Sequence, residues 1–257
     1  PDNKLEISLV CQALADDEAK AVWKPFFEWV AQNPDLKVVG HLNVRTAPAR
    51  DWWTVKDNDS MIPDDRSGAP DYHGWWTGDQ GQVGVYLNSF DSLWLPAALL
   101  SPADALANAL FEASRFKKIE LHCNKGLAGA PEAARKAALD TATNPTVVDA
   151  FALALIADGQ ASAYPGERTP DLEAAQKDAD AIAHAAAALR KLVPNAGSYV
   201  SESDYFNPRW QDAYWGANHA RLAAIKAKYD PDCLFFVHNV GGSEEWSVDG
   251  FTRLERH

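Results

Sequence analysis

The side chains best suited to bind a small molecule are concentrated in one irregular stretch, residues 48–80. It contains Trp52, Trp53, Tyr72, His73, Trp75 and Trp76. A loop of this length inside a compact domain is usually functional or disordered, and disordered segments are poor in aromatic residues. Because Trp faces stack on flat or cyclic molecules such as sugars and aromatic alcohols, we expect His73, Trp75 and Trp76 to line a substrate cavity. The alternative is that these rings fill an apolar core.

A second polar cluster, His122-Cys123-Asn124-Lys125-Gly126, stands at the end of a predicted strand. Strand ends border cavities in many sheets, so Asn124 and Lys125 are expected to meet a bound molecule. His122, together with Tyr86 on another predicted strand, is expected to contact substrate. The alternative is a simple turn that Gly126 closes.

Metal chemistry is not predicted. His41, His73, His122 and Cys123 lack the spacing of metal ligands, and three cysteines are too few and too scattered for a disulfide framework or a Cys-rich zinc site. We expect reduced or buried thiols.

Composition restricts the partners. The net charge of −12 argues against nucleic acid and anionic membrane surfaces, which need a basic face. The hydrophobic fraction of 47% and charged fraction of 23% are typical of a folded globular protein. The longest apolar runs are far shorter than the ~20 residues of a membrane span. The sequence leaves the compartment open between cytoplasmic and secreted.

Two similar strand–helix–strand units are expected to carry these side chains. In the first unit, alternation over 5–11 and 38–44 predicts strands on either side of a helix that Asn33-Pro34 ends. In the second unit, strands over 82–89 and 118–124 flank a helix that begins near Pro102. We predict an α+β fold, with one antiparallel sheet, helices on one of its faces, and a helical C-terminal segment.

Further elements are predicted along the rest of the chain. Periodicity indicates helices over 131–140, 145–157, 171–192 and 208–229, the last interrupted at Gly216. Residues 197–203 are predicted to form a short strand or turn, and residues 234–238 a last apolar strand.

An ordered series of residues begins at Tyr199. It consists of Tyr199-Val200-Ser201-Glu202-Ser203-Asp204, Trp210, Tyr214-Trp215-Gly216, Asn218, Arg221-Leu222, Lys226, Lys228-Tyr229-Asp230-Pro231 and Phe235. This series resembles the C-terminal signature of the berberine-bridge-type flavin oxidoreductases of the vanillyl-alcohol-oxidase superfamily. The strand–helix–strand duplication is similar to the substrate domain of that family.

The resemblance implies a domain organisation. Residues 1–195 would form a substrate-binding domain, and residues 196–257 a berberine-bridge-type segment that packs on a FAD domain absent from this sequence. The implied cofactor is FAD, shared with or supplied by a separate flavin-domain chain or fragment. Gly126-Leu127-Ala128-Gly129 is only a weak match to a phosphate cradle.

The resemblance also implies roles for single residues. Glu202 would act as the base that takes a proton from the substrate heteroatom, and Tyr199 would reach substrate or flavin. Ser201, at a position where the family often has Asn, would contact FAD together with Asn218, Asn124 and Lys125. The alternatives are that Glu202 is a solvated turn acid, that Tyr199 is a core residue, and that Arg221 pairs with a carboxylate such as Asp204 or Asp230.

Two functions follow from these expectations. The first is the substrate-binding half of a FAD-linked oxidoreductase that oxidises an alcohol- or amine-bearing carbon by hydride transfer. The second is a flavin-free small-molecule binding or isomerase module that reuses the same fold.

Overall fold

The computed structural model describes residues 3–9, 15–40, 44, 48–56, 58, 60–79 and 84–254. The chain divides into two compact units, Pro1–Val83 and Gly84–His257. No helix within these described ranges is both long and apolar enough to cross a membrane.

The first unit contains one long helix and one hairpin. Helix α1 (Asp16–Gln32) has three acidic residues in its first turn, where they favour the positive end of the helix dipole. The helix ends before Pro34, and Asn33 Nδ2 donates to the Trp29 carbonyl at 2.7 Å. Strands β1 (Met61–Pro63) and β2 (Gly74–Trp76) pair antiparallel, with Ile62 opposite Trp75.

The strands predicted on either side of α1 are wrong wherever the structure describes them. Residues 5–9, 38–40 and 44 belong to no strand, while residues 10–11 and 41–43 lie outside the described ranges. Leu5 and Leu9 remain 81% and 58% exposed. Alternating apolar residues form a strand only where a neighbouring strand can pair with them, and the described strands of this unit, β1 and β2, pair with each other and not with these residues.

The second unit is built on a three-stranded antiparallel sheet. Strand β5 (Ala150–Ser162) lies in the centre, between the long β3 (Val85–Pro96) and the short β4 (Glu120–His122). The helices of this unit are α2 (Asp104–Ser114), α3 (Glu132–Ala138), α4 (Leu172–Leu192) and α5 (His219–Tyr229). The α+β class is confirmed.

Helices α2 and α4 cover one face of this sheet. Leu93, Leu95, Ala154 and Ile156 project from the strands into a core shared with Ile182 and Leu189 of α4. Arg190 at the end of α4 reaches back to β3, where it makes two hydrogen bonds to buried Asp91, of 2.7 and 2.8 Å. The opposite face carries Trp94, Leu153 and Leu155, which pack with Val147 and Val148.

The helix predicted over 145–157 is wrong. A short turn of 3-10 helix covers Pro145–Val148, and the rest belongs to β5. Both faces of a central strand are buried, so its sequence is a continuous apolar run that periodicity cannot distinguish from a buried helix.

The C-terminal segment is less regular than predicted. Residues 208–229 form a π-helical turn (Gln211–Trp215), a 3-10 turn (Gly216–Asn218) and α5, with the break at Gly216 as expected. Residues 234–238 form no strand, and Leu234 is 80% exposed. An apolar run without a pairing edge in the described chain has no sheet to join.

The segment that follows α4 is fixed to the sheet edge at β3. Trp94 N–H donates to the Gly197 carbonyl at 2.9 Å, and the Ser92 and Ser198 hydroxyls lie 2.6 Å apart. Ser198 N–H donates to the Ala213 carbonyl at 2.7 Å. These bonds hold residues 197–213 in the same compact unit as β3.

Candidate functional site

Three residues predicted to bind or react meet on the sheet face opposite α2 and α4. Lys125 Nζ forms an ion pair with Glu202 Oε2 and lies 5.2 Å from the ring centroid of Tyr199. The Tyr199 ring packs against Trp94, with centroids 6.4 Å apart. We call Lys125, Tyr199 and Glu202 the sheet-face cluster.

The chain reaches the sheet-face cluster from two directions. Lys125 is the last residue of a 3-10 turn (Cys123–Lys125) that directly follows β4. Tyr199 and Glu202 lie on a turn closed by a 2.9 Å bond from Glu202 N–H to the Tyr199 carbonyl. The side chains of Lys125 and Glu202 are 26% and 27% exposed, so the pair is shielded yet open to a small molecule.

A cavity of about 160 Å³ adjoins the turn that carries this cluster. Its lining residues are Leu87, Phe90, Val200, Ser201, Ser203, Tyr205, Tyr214, His238 and Asn239. Ser201 therefore faces a cavity, whereas Glu202 is not among the lining residues. A larger depression of about 440 Å³ along α1 in the first unit contains none of the predicted site residues.

Several cavity residues were not predicted as site residues. The His238 ring stacks on Tyr205 at 4.1 Å between centroids, and His238 Nε2 and Asn239 Nδ2 lie 3.1 and 2.9 Å from the Tyr205 carbonyl. The Tyr214 hydroxyl donates to the Asp204 carbonyl, and burial raises the pKa of Tyr214. The sequence offered no signal for the cavity because its walls come from β3 and two separate loops.

The remaining predicted residues of the second unit have structural contacts. Asn218 Nδ2 donates to the carbonyls of Thr141 and Thr143, at 3.2 and 2.8 Å. Arg221 lies 3.9 Å from Asp140, on an exposed surface, and not beside Asp204 or Asp230. The proposed contacts of Asn218 with FAD stay a prediction.

His122, Tyr86 and Asn124 lie on or next to the sheet. His122 Nε2 is 3.3 Å from Glu120 Oε2, and the ammonium of Lys118, with His122, lowers the pKa of Glu120. Tyr86 is half-buried on β3, opposite Gln160, and Asn124 is exposed. Their predicted contacts with substrate or FAD stay predictions.

In the first unit, the predicted aromatic residues lie on the β1–β2 hairpin. Trp75 and Trp76 are 43% and 42% exposed, which argues against their filling a core. His73 Nδ1 lies 2.8 Å from buried Asp64 Oδ2, and Arg66, together with His73, holds the pKa of the Asp64 carboxyl well below its usual range. A role in a substrate cavity stays a prediction.

No group of three or more potential metal ligands occurs among the described residues. Cys123 is an exposed thiol and Cys233 a half-buried one, and Cys11 lies outside the described ranges.

Several residues of the series from Tyr199 to Phe235 stabilise one turn through hydrogen bonds and an ion pair. Lys226 pairs with Asp230 Oδ2 and donates to the Phe235 carbonyl at 2.7 Å. Asp230 accepts hydrogen bonds from the backbone N–H groups of Leu234 and Phe235, at 2.8 and 3.1 Å. Lys226 and these two donors lower the pKa of Asp230. These residues of the series serve the fold of the segment.

The segment that contains this series is also similar to known proteins. Residues 198–239 match the family model for berberine and berberine-like proteins. Over this segment the chain is similar to berberine-like proteins, and FAD-linked oxidoreductases are among the relatives that match it. The FAD-linked oxidoreductase ZEB1 of Gibberella zeae is 44% identical over 60 residues, which are 23% of this chain and 11% of that protein.

A second relative extends the similarity. The VAO-type flavoprotein oxidase VAO615 of Thermothelomyces thermophilus is 33% identical over 96 residues, 37% of this chain and 17% of that oxidase. The crystal structure of the VAO-type flavoprotein MtVAO615 from Myceliophthora thermophila C1 shares the fold, with a TM-score of 0.59 and 21% identity. That superposition covers 91% of this chain and 38% of the solved chain. The chain thus spans well under half of the length of these relatives.

Proposed function

We propose that this chain provides the substrate-binding face of a FAD-dependent oxidoreductase that oxidises an alcohol- or amine-bearing carbon. The observation that carries the proposal is the sheet-face cluster: Glu202 and Tyr199, from the berberine-bridge-type segment, lie beside Lys125 on the face that α2 and α4 leave uncovered. When bound, FAD would supply the hydride acceptor for this oxidation. The carboxylate of Glu202 takes the proton of the substrate O–H or N–H.

The residues on this face fit a flavin ring better than they fit its diphosphate. Hydroxyl and amide groups at Ser201 and Asn124 can hydrogen-bond the edge of a flat heterocycle. Gly126 is explained by packing, because a Cβ there would lie 2.3 Å from the Ala150 carbonyl oxygen, closer than any contact permits. We therefore propose that the phosphate-binding loop belongs to a flavin domain outside this sequence, in a separate chain or fragment.

An exposed apolar surface supports docking of that flavin domain. Leu234, Phe235 and Val237 are 80%, 74% and 60% exposed, and α5 has no buried residue. Contiguous apolar surface of this kind usually marks an interface.

The test is anaerobic flavin reduction in the holoenzyme that contains this chain. A panel of sugars and primary and aromatic alcohols is first screened for substrates that bleach the flavin absorbance. We expect Glu202→Gln to slow reduction on the order of 10²- to 10⁴-fold while flavin content is unchanged.

The matched control is Glu173→Gln on the exposed surface of α4, which removes the same charge without effect on the rate. A Glu202→Gln rate within a few-fold of wild type would remove Glu202 from the reaction. If the purified protein that contains this chain has no flavin absorbance, the flavin-free binding module is favoured.

A further inference from the structure

We propose that Lys125 is a positioning residue that acts through Glu202, holding its carboxylate in place for proton transfer, and does not itself contact FAD. This inference rests on the proposed function of Glu202. It replaces the sequence-based expectation that Lys125 binds the cofactor.

The backbone on both sides of Lys125 is anchored to the sheet. His122 pairs with Leu153 at the end of β4, three residues before Lys125. After Lys125, Leu127 N–H donates to the Val147 carbonyl at 3.0 Å and Ala128 N–H to the Ala150 carbonyl at 2.9 Å. The position of Lys125 is therefore set by the rigid centre of the second unit.

Glu202 lies on a turn, outside any strand or helix. The turn is joined to the sheet at Tyr199, whose N–H donates to Ser92 Oγ at 3.2 Å, and Glu202 follows three residues later with its own N–H bonded to the Tyr199 carbonyl. A carboxylate on such a turn samples several rotamers unless a partner selects one. The ion pair with Lys125, whose backbone is anchored to the sheet, selects one rotamer of the Glu202 side chain.

Tyr199, the third residue of the sheet-face cluster, contacts Lys125 through its ring. The ammonium of Lys125 lies over the Tyr199 ring, in the range of a cation–π contact, and that ring rests on Trp94. With its ammonium between the carboxylate and the ring, Lys125 is already engaged by groups of this chain. A flavin contact would compete with both groups for the same ammonium.

The first test uses the chain itself and needs no flavin. Acylation requires an amine that the reagent can reach, and the contact with Glu202 covers part of the Lys125 amine, so trace labelling with acetic anhydride reports whether the pair forms. We expect Glu202→Gln to raise the labelling rate of Lys125 several-fold, with no change at Lys191, which pairs with Glu112 elsewhere. An unchanged rate at Lys125 would overturn the inference.

The second test is a double-mutant cycle in the holoenzyme, read as anaerobic flavin reduction. We expect Lys125→Met to slow reduction on the order of 10- to 100-fold, with unchanged flavin content and apparent substrate affinity. Lys125→Arg keeps the charge and should recover most of the rate. In the Glu202→Gln background, Lys125→Met should not slow flavin reduction any further, because the effect of Lys125 on the rate passes through Glu202.

The outcomes separate the two proposals. If Glu202→Gln is slow but Lys125→Met reduces flavin at the wild-type rate, the positioning role fails and the proposed function stands. If Lys125→Met lowers flavin content, or adds its full loss to that of Glu202→Gln, Lys125 is a cofactor ligand and the inference is wrong. If Glu202→Gln is itself near wild type, the proposed function fails and the positioning role fails with it.

Discussion

Asn144 joins the berberine-bridge-type segment to the sheet, and its removal should destabilise the second unit. Its side chain is 2% exposed and makes four hydrogen bonds. Oδ1 accepts from Thr146 N and Oγ1, at 3.0 and 2.9 Å, and Nδ2 donates to the carbonyls of Asp212 and Ala213, at 3.1 and 2.7 Å. One amide thus connects the turn before β5 to the π-helical turn at Gln211–Trp215.

The size of the destabilisation depends on which hydrogen-bonding groups Asn144→Ala leaves without a partner. The Ala213 carbonyl keeps its bond from Ser198 N–H, and the Thr146 hydroxyl can rotate to another partner. The Asp212 carbonyl keeps the bond from Gly216 N–H, whereas the Thr146 N–H loses the Asn144 side chain as its partner. An unsatisfied polar group costs about 1–3 kcal/mol, so we expect a loss of about 1–3 kcal/mol in the free energy of unfolding.

Native-state hydrogen exchange with mass spectrometry measures this loss in the second unit alone. Because each 1.4 kcal/mol is about tenfold, amides of the central strand should exchange roughly 5 to 150 times faster in Asn144→Ala. Asn144→Asp should be at least as damaging, because it directs a negative charge at two carbonyl oxygens.

Asn195→Ala is the matched control, since Asn195 lies on an exposed turn of the same unit. It should change the free energy of unfolding by less than about 0.5 kcal/mol. Exchange in Asn144→Ala within threefold of this control would refute the reasoning.

Two further predictions concern the same segment. Gly216→Ala should cost about 1–3 kcal/mol in thermal unfolding, because Gly216 has φ +53° and ψ −135° and a Cβ would lie 3.1 Å from Asn144 Oδ1. Gly129→Ala, in open space, is its control, and equal melting temperatures would contradict the prediction. Because the pKa of Asp230 is lowered from 3.8, its turn should be intact above about pH 4 and lose stability as the pH falls through the folded value. The protection of the Leu234 and Phe235 amides, measured against the intrinsic exchange rate at each pH, should therefore fall on acidification in wild type but not in Asp230→Asn, and a pH response equal in both would sink the idea.

The sequence alone determined the features that depend on local chemistry. Helix α4 covers Leu172–Leu192, close to the range 171–192 that periodicity predicted, and the Asp171 side chain accepts a hydrogen bond from Ala174 N–H at its start. The break at Gly216 was predictable because only glycine tolerates that backbone. The resemblance to berberine-bridge-type oxidoreductases could be detected because the residues of the series from Tyr199 to Phe235 all lie within one stretch of the chain. Two of them, Lys226 and Asp230, pair to stabilise one turn.

The tertiary structure decided everything that depends on distant neighbours. Residues 150–157 became a central strand because β3 and β4 flank them and both faces are covered, while residues 5–9 stayed out of any sheet for lack of a described partner strand. The pairing of Lys125 with Glu202 joins residues 77 positions apart, and no local pattern encodes that separation. It exists because β4 and the turn after Tyr199 are both held to the same sheet, the first by strand pairing and the second by Trp94 and Ser92.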